Sequence, residues 1–192
     1  KAKLFDVPLA EVLGKVRDSV PVYGSGGFTS YTTDTLQRQL GGWAESGMQW
    51  VKMKVGRHPD DDAARVRAAR EAIGQRCGLM VDANGAYAHK QALAMSEAFA
   101  ASGVVWYEEP VSSDDLNGLR LLRDRLPAGM EVSAGEYGFH TAYFERMLAA
   151  GSVDVLQADI TRCSGVTGFL EAANLSAACE IPFSSHCAPA LH

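Results

Sequence analysis

The 192-residue sequence lacks an apolar run of the roughly 20 residues that a membrane-spanning helix needs. It also lacks a cluster of basic residues, and its formal net charge of −5 argues against binding to nucleic-acid phosphates. It has only four cysteines and no CxxC pair, which predicts free thiols rather than disulfides. Residues Lys1–Asp6 lack the apolar segment of a secretory signal peptide. We therefore expect a cytoplasmic protein that binds neither membranes nor nucleic acids.

Seven short apolar runs recur along the chain at nearly even intervals. Six of them contain or end in charged groups: Trp50–Lys54, Leu79–Asn84, Val104–Glu109, Val132–Glu136, Val155–Asp159 and Ile181–His186; a weaker run covers Val20–Tyr23. The groups at the run ends are 23 to 28 residues apart, namely Lys54, Asp82, Glu108, Glu136, Asp159 and His186. This interval fits one strand, one helix and two loops. It predicts an α/β fold of the TIM-type (β/α) barrel class, with its chemistry at the strand ends.

The segments between the runs are predicted to be helices. Apolar residues recur with helical spacing in the stretch that begins at Pro59 and in Lys90–Ala101, Leu116–Leu126, Thr141–Ala150 and Val166–Cys179. Thr33 or Asp34 is expected to cap an earlier helix. The chain offers seven strand candidates, whereas a closed barrel of this kind has eight. We therefore expect residues 20–192 to form a partial barrel without its last unit, and residues 1–19 to be a linker or helix remnant that joins an earlier domain.

The charged residues follow the alternation of side chains along a strand. Lys52 and Lys54 share one face of their run, and the residues between and beside them are apolar. Asp82 and Asn84 likewise share a face. In a barrel such a face points toward the axis, where ionised groups must be paired, bound to a metal or open to the active-site mouth.

Six short motifs resemble the mandelate racemase subgroup of the enolase superfamily. They are Lys52-x-Lys54, Val81-Asp82-Ala83-Asn84, Glu108-Glu109-Pro110, Ala134-Gly135-Glu136, Asp159-Ile160-Thr161-Arg162-Cys163 and Ser184-Ser185-His186. They occur in the order of that family and close to its spacing. The resemblance implies an eight-strand barrel of modified topology with an α+β capping domain, and nearly all of that cap is absent from this sequence.

By this resemblance, Asp82, Glu108 and Glu136 would be the three ligands of one metal ion. Three converging carboxylates repel one another unless a cation lies among them, and hard oxygen ligands suit Mg²⁺. The alternative is that each acid is solvated or paired with an arginine. Glu109 would then be a neighbour of the ligand Glu108, and Asn84 a contact of the substrate or of a ligand.

The resemblance also assigns the acid and base groups. Lys54 would be one acid/base catalyst, its pKa lowered by the neighbouring ammonium of Lys52 and by the metal, unless both lysines are surface charges. Lys52 could also contact the substrate carboxylate. His186 would be the second catalyst, with Asp159 fixing its tautomer, unless it is a satisfied core histidine. The remaining histidines have no such partner and are expected in loops or at the surface: His58, His89, His140 and His192.

This set of groups predicts Mg²⁺-dependent removal of the proton α to a carboxylate, through an enediolate. The resemblance implies that the reaction is dehydration of a sugar acid to a 2-keto-3-deoxy acid, in a protein that forms homo-oligomers. A racemase, epimerase or cycloisomerase would use the same residues. A catalytically silent barrel is a further alternative, because Ser164 stands where many relatives have a second glycine.

Overall fold

Seven parallel strands form one sheet in the computed structural model, which describes residues 1–191. The strands are β1 (Gly24–Gly26), β2 (Trp50–Lys54), β3 (Gly78–Asp82), β4 (Val104–Glu108), β5 (Glu131–Ala134), β6 (Val155–Ala158) and β7 (Phe183–Ser185). The helices are α1 (Ala2–Phe5), α2 (Leu9–Val12), α3 (Thr33–Glu45), α4 (Pro59–Ile73), α5 (His89–Ala101), α6 (Leu116–Arg125), α7 (Thr141–Ala149) and α8 (Gly165–Ala178). Each strand pairs with its neighbours in chain order, from β1 to β7. The sheet curls into part of a barrel, which confirms the predicted fold class.

The alternation of side chains on β2 agrees with the prediction from the sequence. Val51 and Met53 are fully buried in the apolar layer that the sheet shares with the helices. Lys52, between them, belongs to the opposite face and is also buried. The helices complete this layer with apolar residues spaced by three or four positions, such as Val66, Ala69 and Ile73 of α4.

The register of neighbouring strands places the charged residues at the ends of β2, β3 and β4 side by side. Lys54 of β2 pairs with Asp82 of β3, and Asp82 pairs with Glu108 of β4. Parallel strands that end at the same level place the side chains of their last residues around one point. The carboxyl ends of the strands therefore form a single polar surface at the mouth of the barrel.

Two local predictions were wrong. The weak run Val20–Tyr23 is not a strand: Val20 and Val22 are more than half exposed, and β1 begins at Gly24. Gly24 lies against α3, where a β-carbon would come within 2.5 Å of the Trp43 ring, so this strand has no apolar side chains by which to recognise it. The helix α3 is capped one residue earlier than predicted, because the Thr32 hydroxyl accepts a hydrogen bond from Thr35 N at 3.3 Å.

The N-terminal segment contains the short helices α1 and α2, neither of which has a buried residue. Among the helices of the described residues, none is both long and apolar enough to cross a membrane. The predicted surface residue His192 lies outside the described residues.

Candidate active site

Three carboxylates meet at the mouth of the partial barrel. Asp82 is the last residue of β3 and Glu108 the last of β4, and Glu136 follows β5 by two residues. One oxygen of each carboxylate lies within 4.8 Å of the others, and all three side chains are buried. The structure therefore brings together the three residues that the sequence predicted as metal ligands.

The hydrogen bonds of Glu108 leave one of its oxygens available for a metal. Its Oε2 atom is contacted by the Lys52 ammonium and accepts hydrogen bonds from Gln157 Nε2 at 2.9 Å and Trp106 Nε1 at 3.2 Å. Its Oε1 atom is buried and has no hydrogen-bond partner among the described residues. A buried carboxylate oxygen without a donor is costly unless a cation occupies the place of the donor. This donor set fits a hard divalent cation.

Burial and charge act on the three carboxylates in different ways. Burial, together with the charge of Glu108, raises the pKa of Asp82 to about 6. Burial also raises the pKa of Glu108, but the charge of Lys52 and the hydrogen bonds to that carboxylate hold it below its usual value. For Glu136, contact with His186 outweighs burial, so the pKa of this carboxyl is lowered.

The two lysines of β2 contact different carboxylates. Lys54 Nζ contacts Asp82 and donates a hydrogen bond to Asn84 Oδ1 at 2.9 Å. Lys52 is 2 % exposed, contacts Glu108, and lies with its Nζ 3.9 Å from Asp82 Oδ2. Its ammonium also lies 5.1 Å from the centre of the Tyr23 ring. Neither lysine is a free surface charge.

The pKa of Lys52 is raised rather than lowered by its surroundings. Burial lowers the pKa of this ammonium, but the charges of Glu108, Tyr23 and Asp82 and the hydrogen bond to Glu108 together outweigh burial and raise the pKa above its usual range. Lys52 is therefore a permanently charged group that compensates the buried carboxylates.

His186 lies on the other side of the carboxylates and forms the predicted pair with Asp159. His186 Nδ1 lies 2.9 Å from Asp159 Oδ2, and Nε2 lies 2.8 Å from Glu136 Oε2. Burial lowers the pKa of His186, but the two acids together raise it. Asp159 is held in turn by Thr161, whose backbone N and Oγ1 donate to Asp159 Oδ1 at 2.8 and 2.6 Å. The structure places His186 Nε2, which we expected to face a substrate, against Glu136, one of the three predicted metal ligands.

Arg162 connects the histidine pair with the carboxylates. Its Nη1 donates to the backbone oxygen of Glu136 at 3.1 Å, and its Nε lies 3.6 Å from Asp159 Oδ2. The guanidinium lies 5.5 Å from the centre of the Tyr137 ring. The sequence identified Arg162 only as part of a motif, because its contact with Glu136 joins residues 26 positions apart.

The polar neighbours Asn84 and Glu109 occupy strained backbone positions. Asn84 has φ of 45° and donates its backbone N to Asp82 Oδ1 at 2.9 Å, while its side chain contacts Lys54. Glu109 has φ of 39° and is buried. Burial and the charges of Glu136 and Asp82 raise the pKa of Glu109 to about 9. Burial and these neighbouring charges therefore favour the protonated form of Glu109.

One of the remaining histidines does have an acidic partner, contrary to the prediction. His89 Nε2 lies 2.5 Å from Asp115 Oδ2, which joins the N-termini of α5 and α6 at the protein surface. This pair lies outside the carboxylate cluster. His58 and His140 precede α4 and α7, and their side chains do not cap these helices.

Comparison with known proteins agrees with this geometry. Residues 35–192 match the family model described as enolase C-terminal domain-like. A mandelate racemase/muconate lactonizing enzyme-like protein of Rubrobacter xylanophilus has a solved structure that is 56% identical, with a TM-score of 0.96 over 100% of this chain and 53% of that one. The structure of L-talarate dehydratase from Polaromonas sp. JS666, complexed with Mg and L-glucarate, is 33% identical, with a TM-score of 0.90 over 100% of this chain and 54% of that one.

One curated relative has a name that gives a different reaction from that of the dehydratase. The 3,6-anhydro-α-L-galactonate cycloisomerase of Streptomyces coelicolor is 35% identical over 183 residues, which are 93% of this chain and 49% of the relative. The chain spans about half the length of the curated relatives that it matches. The family match, the partial barrel and the three convergent carboxylates lead to one conclusion: the chain belongs to the enolase C-terminal domain-like family of the enolase superfamily.

Proposed function

We propose that the whole protein removes the proton α to the carboxylate of a sugar acid and then eliminates the β-hydroxyl, which gives a 2-keto-3-deoxy acid. One observation carries this proposal: Lys54 and His186 contact opposite ends of one carboxylate cluster. Lys54 lies against Asp82, and His186 lies against Glu136. Two groups that can exchange protons thus border the same space from two sides.

The cofactor in this proposal is Mg²⁺, and its ligands are Asp82, Glu108 and Glu136. The convergence of three buried carboxylates supports this assignment, as does the unpartnered Oε1 of Glu108. The solved L-talarate dehydratase complex with Mg supports the choice of this ion. When bound, the ion supplies positive charge beside the substrate carboxylate, where negative charge accumulates as the α proton leaves.

The proton transfers are assigned to residues of this chain. Lys54, in its neutral form, takes the α proton. His186, held by Asp159, donates a proton to the departing β-hydroxyl, so that the hydroxyl leaves as water and the enol becomes a keto acid. Lys52 keeps its charge and compensates the negative charge of Glu108 and of the substrate carboxylate. Asn84, which contacts Lys54, orients that base.

Cycloisomerisation is a second candidate, and the similarity to a cycloisomerase supports it. The same base would remove the α proton, but His186 would protonate an internal ring oxygen instead of a hydroxyl. Such a reaction opens a ring without loss of water. A racemase or epimerase would instead return a proton to the α carbon, and its product would have the composition of the substrate.

Product analysis tests the proposal. The whole protein is incubated with Mg²⁺ and a library of sugar acids and their anhydro derivatives, and the products are identified by mass spectrometry and carbonyl derivatisation. The proposal expects loss of one water and a 2-keto acid. Isomers formed without loss of water refute the dehydratase assignment and favour a cycloisomerase or epimerase. The absence of both products and of α-proton exchange across the library supports a catalytically silent barrel.

The remaining parts of the proposal concern the protein outside this barrel. We propose that residues 1–19 join the barrel to a capping domain, and that the protein is a cytoplasmic homo-oligomer. The family resemblance supports these assignments.

A further inference from the structure

A cavity of about 480 Å³ lies beside Lys54 at the mouth of the barrel. The loops that follow β1, β2 and β3 form its walls. Its polar lining residues are Thr29, Lys54, Arg57 and Asn84, and Phe28 provides an apolar wall. Because Lys54 and Asn84 belong to both the cavity and the carboxylate site, a substrate at that site could extend into this space.

The cavity contains one positively charged group, Arg57, that no acid of its lining neutralises. Within the described part of the chain, its lining includes Lys54 and Arg57 but no aspartate or glutamate. Lys54 is already paired with Asp82. Arg57 is exposed, and no described residue forms a hydrogen bond or ion pair with its guanidinium. A free guanidinium in a concave polar space is suited to a planar anion such as a carboxylate.

The backbone beside Arg57 is held in place by a buried hydrogen-bond network. Gly56 N donates to Asp62 Oδ2 at 2.8 Å, and the Tyr87 hydroxyl donates to the same oxygen at 2.5 Å. Asp62 and Tyr87 are almost fully buried, although Asp62 lies in the first turn of α4. Gly56 has φ of 96°, and a β-carbon there would lie 2.6 Å from Ala86 Cβ. The loop that carries Arg57 is therefore held against the loop that follows β3, which forms the adjacent wall of the cavity.

We propose that this cavity binds a second carboxylate at the distal end of the substrate, and that Arg57 recognises it. The inference rests on the proposed function and narrows its substrate class to dicarboxylic sugar acids. A monocarboxylic acid would leave the Arg57 charge uncompensated. Thr29 and Asn84 offer neutral hydrogen-bond donors for the hydroxyl groups between the two carboxylates.

Calorimetric binding tests this inference without requiring turnover. The whole protein, loaded with Mg²⁺, is titrated with two matched pairs of acids, galactarate with galactonate and glucarate with gluconate. A charge-assisted contact predicts that a diacid binds at least about tenfold more tightly than its monoacid partner. In Arg57→Met this affinity ratio falls by about tenfold or more, and Arg57→Lys retains part of it. The matched control Arg67→Met changes an exposed arginine of α4 outside this cavity and keeps the wild-type ratio.

The outcomes separate this inference from the proposed function. Equal affinity for the acids of both pairs, or an unchanged ratio in Arg57→Met, overturns the inference. Tighter binding of 6-phosphogluconate than of either diacid also overturns it, because the cavity would then be a phosphate site. A diacid preference that depends on Arg57, in a protein that exchanges no α proton, supports the inference and refutes the proposed function.

Discussion

His186 Nδ1 lies 2.9 Å from Asp159 Oδ2, and this contact fixes which nitrogen of the ring is directed at the carboxylate cluster. Asp159 is itself fixed by two hydrogen bonds from Thr161. The acid therefore orients the ring and favours its protonated form. This relationship makes Asp159 a positioning residue for the proposed acid catalyst.

Replacing Asp159 with Asn should separate two steps of the proposed reaction. Loss of the carboxylate leaves less of His186 in the protonated form that can donate a proton and frees the ring from its orientation, so the rate of water loss should fall by about 100-fold or more. In the proposed reaction Lys54 removes the α proton, so the exchange of that proton with deuterium should fall much less. NMR in D₂O measures exchange and product in one sample. Asp61→Asn, at an exposed position of α4, is the control, and an equal fall in both rates would contradict the separate roles.

Replacing Lys54 with Met should abolish both steps. If Lys54 is the base, as proposed, its loss leaves the α proton in place, and both exchange and product formation should fall by about 100-fold or more. The control is Lys90→Met, because Lys90 is an exposed residue of α5. Wild-type exchange rates in Lys54→Met would show that another group is the base.

Replacing Glu136 with Gln should weaken metal binding. In the wild-type protein, Mg²⁺ at 100 times its dissociation constant should raise the free energy of unfolding by about 2.7 kcal/mol. This increase should be largely lost in Glu136→Gln and retained in Glu97→Gln, which alters an exposed residue of α5. Denaturant titrations with and without Mg²⁺ provide the measurement. An equal increase in all three proteins would place the metal elsewhere.

Replacing Gly135 with Ala should destabilise the strand end that positions Glu136. Gly135 has φ of 136°, and a β-carbon there would lie 2.0 Å from the backbone oxygen of Gln157. We expect the free energy of unfolding to fall by about 2 to 4 kcal/mol. In Gly42→Ala no atom outside the neighbouring backbone of the same helix lies within 4 Å of the new β-carbon, so stability should be unchanged or slightly higher. Chemical denaturation of both variants checks this, and equal stability would refute the close contact.

The hydrogen bond from Tyr87 to Asp62 predicts a dependence of stability on alkaline pH. Burial and this hydrogen bond raise the pKa of Tyr87 above its usual range. Tyrosines of the unfolded chain ionise near pH ~10, so above that pH the unfolded state loses protons that the folded state keeps. The free energy of unfolding therefore decreases as pH rises, by up to about 1.4 kcal/mol per pH unit for each such group.

The variant Tyr87→Phe isolates this contribution. Below pH ~10 it should be less stable than the wild type, because Asp62 loses a buried hydrogen bond. Above that pH its stability should decrease less steeply. Urea titrations between pH 8 and about 11 measure both slopes. Parallel slopes would show that Tyr87 ionises as readily in the folded protein as in the unfolded chain.

The part of the site that the sequence predicted lies at the ends of strands with clear side-chain alternation. Lys52, Lys54 and Asp82 share faces that could be derived from their positions alone, and the register of β2 and β3 brings them together. β1 was misplaced because Gly24 and Gly26 have no side chains that alternate. Its position is set by the close approach of α3, which is a property of the tertiary structure.

Other features depend on contacts between residues far apart in the sequence. Asp62 fits an acidic first turn of a helix, and nothing local indicates that Tyr87 covers it. The charge state of Lys52 follows from Glu108, which is 56 residues away. Local patterns therefore predicted residues that the fold brings together, whereas the environment of each residue required the fold.

The most direct test of the central claim is α-proton exchange measured with and without Mg²⁺. The whole protein is placed in D₂O with a panel of sugar acids, and NMR follows the α-proton signal of each acid. We predict exchange with at least one acid that requires Mg²⁺ and is lost in Glu136→Gln. Exchange that continues at the same rate after removal of the metal, or in that variant, would contradict the role assigned to the three carboxylates.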